Sequence, residues 1–222
     1  MNTNTAEQFV LDQIPLRVQR LIPPKLKLAY EAVDQVFAGN PMLQIPTARD
    51  NRGRFISWAV EWSIKGLIDS GEWAVDYEWP LYAQPTGHYL EVRLPHSTLS
   101  INQVKFWQEQ PRDVLFRENS RLGNVQMDLW KDKNAEDASL ERSGGPLSLL
   151  LVHGYKDLQF AHIGIPHHHH QHGFIYQTPN LLGLLYEVPP SDLPPPEAPI
   201  DVDALLSLKA DIEKWQRDNG DS

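Results

Sequence analysis

The spacing of apolar residues changes once along this chain, at Gly71, and that change limits the fold class more than any other feature. Before it, Leu26, Ala29, Val33 and Phe37 recur three or four apart, as along one face of an α-helix, and Gly39-Asn40-Pro41 supplies a stop. A second helix is predicted over 54–69. Its apolar residues, Phe55, Ile56, Trp58, Val60, Trp62, Ile64, Leu67 and Ile68, fall on almost every side, which predicts a central helix buried all round. After Gly71, the runs 73–79, 89–94 and 98–104 are short, rich in aromatic and β-branched residues, and broken by proline and glycine. Tyr89, Glu91 and Arg93 alternate with Leu90, Val92 and Leu94 as a half-buried strand requires, so an antiparallel meander is expected. The polar stretch 119–146 reads as a long loop, or a loop holding a short helix. The apolar run 147–152 suits a fully buried strand, with 158–165 pairing back on it across Gly154-Tyr155.

Helices first and strands afterwards give an α+β class: N-terminal helices packed on a mainly antiparallel sheet, followed by a proline-linked C-terminal helix. The predicted organisation is one globular domain over 1–188, a proline-rich linker over 189–200 and an acidic amphipathic helix over 201–222. The net charge of −9 is uneven: from Glu187 onward nine acids face three bases, so the rest of the chain carries only −3. Such a body does not favour nucleic acid through bulk electrostatics, although a local basic patch would still permit it. The chain has no cysteine, which excludes disulfides, thiolate nucleophiles and Cys-ligated zinc, and fits a reducing compartment. No run approaches the length of a membrane span and no leader pattern opens the sequence, so the expected location is cytoplasmic, away from membranes.

Four groups of residues could carry function. Five of the nine histidines fall within 167–172, and His167, His169 and His172 are candidate ligands for a divalent metal. Consecutive residues point in different directions, however, and a polar loop that binds metal adventitiously explains the same run. Arg112, Arg117 and Arg121 interleave with apolar residues and could meet a partner's carboxylates or a phosphate; pairing with Asp113 and Glu118 explains them without a ligand. Val202, Leu205, Leu208, Ile212 and Trp215 form one apolar stripe on the predicted C-terminal helix, a pattern that fits a protein partner's groove or the chain's own surface.

The fourth group is Asp76 in one strand and Glu91-Val92-Arg93 in the next, after a helix that carries Glu61. Over about thirty residues this resembles the metal-dependent PD-(D/E)XK nucleases. The resemblance implies that Asp76 and Glu91 hold a divalent ion, with Arg93 where the family has a catalytic lysine. Val75 stands at the motif's proline, and an arginine that stays charged at neutral pH cannot shuttle a proton.

The leading expectation is a non-enzymatic interaction or regulatory protein that binds another protein through its C-terminal helix, as in a toxin–antitoxin pair, with no cofactor. The alternative is a metal-dependent hydrolase of nuclease type that uses Asp76, Glu91 and Arg93.

Overall fold

A computed structural model describes residues 3–81, 87–125, 146–169 and 172–186. The chain divides after Tyr186 into two units, and all the described residues belong to the first. The expected linker and C-terminal helix, with Val202, Leu205, Leu208, Ile212 and Trp215, lie outside the described residues.

The chain opens with α1 (Thr3–Gln13) and α2 (Leu16–Gly39). Pro23 and Pro24 lie inside α2, each removing a backbone donor that an interior turn would use. The helix runs on because Ile22, Pro23, Leu26, Ala29, Tyr30, Val33 and Phe37 form one buried stripe, and that burial outweighs the lost hydrogen bonds. After α2, Asn40 accepts from Met42 N at 3.1 Å and starts a 3-10 turn (Pro41–Gln44). Two helices come next, α3 (Pro46–Asp50) and α4 (Arg52–Asp69).

Six strands then form one sheet in chain order: β1 (Asp76–Glu78), β2 (Glu91–Arg93), β3 (Ser97–Val104), β4 (Leu147–Gly154), β5 (Ala161–Pro166) and β6 (Phe174–Gln177). A short helix, α5 (Leu115–Leu122), lies between β3 and β4, and a second 3-10 turn (Leu181–Tyr186) comes after β6. The β1–β2–β3 meander and the β4–β5–β6 meander are antiparallel; β3 and β4 run parallel and join the two halves. The class is therefore α+β, with a mixed sheet in which only one junction is parallel. No helix among the described residues is long and apolar enough to cross a membrane.

Residues that pair across strands share a face. On one face Val92, Leu99, Leu149, Leu151 and Ile163 pack with the buried stripes of α2 and α4 in the main core. The other face is more polar. Glu78, Glu91 and Ser100 stand in one row across it, and Asp76, Arg93, Thr98 and Ser148 in the next. Toward β5 this face turns apolar, where Val104, Leu150, Val152 and Phe160 form a smaller core with Trp107 and Phe174.

The expectation of a helix buried all round at 54–69 is overturned. In α4, Ile56, Val60, Ile64 and Leu67 are fully enclosed, while Trp58 and Trp62 point away from the core and are 56% and 71% exposed. The helix is amphipathic, with its apolar outer residues facing solvent.

Candidate docking surface and polar cleft

Trp58 and Trp62 lie one turn apart on α4, and Arg54 and Gly66 extend the same exposed line by a turn in each direction. The line is supported from beneath. Phe55 meets the buried Phe37 edge-on at 5.2 Å between ring centroids, and Trp58 packs on Phe55 at 5.5 Å, so a ladder of rings leads from core to surface. Beyond Trp62, Lys65 sits over the Tyr77 ring at 5.4 Å and pairs with Asp69, which also accepts from the Tyr77 hydroxyl at 3.1 Å. Tyr77 in turn meets Trp79, 40% exposed, at 6.5 Å, and Leu81 just beyond is 68% exposed. Large apolar groups presented to water in this number are unusual for a chain that works alone.

On the polar face of the sheet, α5 covers a narrow cleft lined by Glu91, Thr98, Ser100, Phe116, Arg117 and Ser120 among others. Its free volume is about 20 Å³, room for one water or an ion and not for a nucleotide. Burial raises the Glu91 carboxyl above the usual carboxylate range; a hydrogen bond from Tyr89 Oη at 3.2 Å pulls it down and the Glu78 charge pushes it up. Arg93 pairs with Glu78, not with Glu91. Asp76 shares this face with Glu91 but stands opposite Arg93, one row away. Glu61 belongs to the other side, on α4, where it accepts from Leu90 N at 3.4 Å and burial raises its carboxyl. On β3 the residues on this face of the sheet are Thr98, Ser100 and Asn102, none of them a carboxylate or a lysine.

The arginines have internal tasks. Arg121 is buried, clasps Asp113 with both terminal nitrogens at 2.5 and 2.8 Å, and donates from Nε to His168 O at 2.9 Å. Arg117 donates to Asn102 Oδ1 at 3.0 Å and to Arg112 O at 2.8 Å, with its guanidinium over Phe116. Arg112 is exposed. Of the three arginines expected to meet a partner, Arg121 is enclosed within the domain, so the pairing with Asp113 accounts for it.

The rings of His167, His169 and His172 come within 4.5 to 5.9 Å of one another, centroid to centroid. They pack within a tight turn: His169 N donates to His167 Nδ1 at 3.0 Å and His172 N to His169 O at 3.0 Å. Among the described residues, no three His, Asp or Glu side chains are disposed to hold one metal ion, either here or at the carboxylates of β1 and β2.

Two buried polar groups had no sequence signal. Asn124, fully enclosed just after α5, donates to Ser148 O at 3.0 Å and Pro166 O at 2.9 Å and accepts from Ser148 N at 2.9 Å, tying β4 to β5. Tyr30 donates to Gly154 O, so its oxygen accepts from His153 Nδ1 at 2.7 Å. That fixes the proton of this enclosed imidazole on Nδ1. The exposed tryptophan line was legible in part, since Trp58 and Trp62 at i and i+4 lie opposite the Val60 and Ile64 stripe. No protein-family profile, curated protein or solved structure matches this chain.

Proposed function

We infer that this protein is a non-enzymatic interaction or regulatory protein that binds a macromolecular partner through the outer face of α4. The observation that carries the reading is the pair Trp58 and Trp62, one turn apart and more than half exposed, with Trp58 packed on Phe55, which in turn rests on Phe37. Tryptophans are the residues most enriched at the energetic centres of protein interfaces, and rings fixed before binding lose little entropy when they dock.

The test is to isolate the full chain gently from its own host, alongside a Trp58→Ser, Trp62→Ser variant and a variant lacking 201–222. Loss of a stoichiometric complex in the tryptophan variant, with folding intact by circular dichroism, supports the α4 face. Loss only in the truncated variant would move the interface to the C-terminal stripe.

A metal-dependent nuclease is the second reading, favoured by one observation: Asp76, Glu78 and Glu91 share a sheet face. Against it, β3 offers hydroxyls and an amide where such chemistry needs another carboxylate and a base. Manganese-dependent cleavage of nucleic acid by the purified chain, abolished in Glu91→Gln, would replace the binding reading.

A further inference from the structure

Between α1, the start of α2, β6 and the second 3-10 turn lies a pocket of about 250 Å³. Its apolar walls come from Val10 and Leu11 of α1, Leu16 of α2, Tyr176 of β6, and Leu181 and Leu184 of the turn. An apolar cavity of about 150 Å³ accepts benzene, so this one accommodates roughly ten non-hydrogen atoms. Of the large apolar residues that are exposed among the described ones, only Leu16 lines it. The apolar surface is therefore inside the pocket and not spread around its mouth, as suits a small molecule that enters rather than a protein that covers.

One polar atom of the lining is unspent. Gln19 is only 4% exposed, and its Nε2 donates to Ile14 O at 2.8 Å, which fixes the orientation of the amide. Its Oε1 is left an acceptor with no partner among the described residues. Thr178, by contrast, is satisfied, donating to Pro179 O at 3.0 Å and accepting from Ile163 N at 3.1 Å. A buried carbonyl oxygen beside apolar walls selects a molecule that brings an N–H or O–H to it. Charge narrows the class further. Glu7 lines the same pocket, and burial, with the Glu7 charge added, raises the Tyr176 hydroxyl, so a ligand carboxylate or phosphate would meet repulsion there.

We propose that this pocket binds a small, largely apolar molecule of roughly ten non-hydrogen atoms, without negative charge, that donates a hydrogen bond to Gln19 Oε1. The pocket shares no residue with α4 and stands whatever docks on that helix.

Indole, which has this size and one N–H, and indene, its counterpart without a donor, are the probes. Calorimetric titration of the full-length chain should show saturable indole binding with a Kd below about 1 mM. Gln19→Met should weaken indole roughly tenfold relative to indene, a ratio that a general loss of stability does not move. Val10→Phe, which grows into the pocket, should abolish binding of both; Leu16→Trp repeats the block from the rim, where the side chain is already 42% exposed and folding is not at stake. Absence of saturable binding, an unchanged indole-to-indene ratio in Gln19→Met, or binding indifferent to both blocking substitutions would overturn the proposal. So would release of a bound protein by indole from material isolated from the host, or nuclear Overhauser contacts from the Leu11 and Leu16 methyls to residues 202–215, either of which gives the pocket to a peptide side chain.

Discussion

His153 and His162 are both fully enclosed, and burial holds their imidazoles well below the ordinary value, at about 3 and about 4. His153 keeps one proton partner, Tyr30, whose own phenol burial pushes up; its Nε2 has no partner among the described residues. His162 lies between Trp107, Phe160 and Phe174, a box of rings that shields it from water. The unfolded chain takes up protons near 6.5 and the folded chain only far lower, so stability is full above 6.5 and is lost as pH falls toward 3 to 4. The loss is on the order of 3 kcal/mol per histidine. Glu61 and Glu91, whose carboxyls burial raises, act with the opposite sign at their own titration and offset part of it. Urea unfolding between about pH 7 and 4 should show the decline, and His162→Gln should flatten it. Asn124→Ala should cost about 3 kcal/mol in the same assay, because it strands buried backbone groups of Ser148 and Pro166. Neither site was legible beforehand: a histidine inside a strand and an asparagine in a polar stretch look alike whether buried or exposed, and long-range pairing decides which.

At the scale of elements, sequence periodicity located α2 from Leu26 onward, the meander of β1 to β3, and the buried β4 with β5 folding back. It failed where apolar residues serve something other than the core. α4 carries apolar side chains on several sides, and the sequence alone cannot say which of them meet solvent; the core takes Ile56, Val60, Ile64 and Leu67 and leaves the tryptophans outside. The double proline hid the part of α2 that precedes Leu26, and β6, four residues long beside the histidine loop, was too short to register. Because Gly66 is exposed within α4, Gly66→Ala should raise the stability of the isolated chain by about 0.5–1 kcal/mol. Thermal denaturation at high dilution reads this directly. An equal or lower melting temperature would mean that Gly66 does serve its own chain.

For the whole molecule, the two faces of the sheet divide the possible functions. One is sealed under α2 and α4, and the other narrows under α5 to a cleft the size of a water. The carboxylates that resemble a nuclease centre are split between those faces, Glu61 on one and Asp76 with Glu91 on the other. In the sequence they were close in number, and only the fold shows that Arg93 is turned to Glu78. Among the described residues, Trp58, Trp62, Trp79 and Leu81 are exposed, the surface we propose for another chain.

Hydroxyl-radical footprinting, resolved by peptide mass spectrometry, tests that claim most directly on protein isolated intact from its host and on the same protein diluted until it dissociates. Strong protection of Trp58 and Trp62 in the assembled state, lost on dilution, is the predicted result; equal reactivity in both states would contradict it.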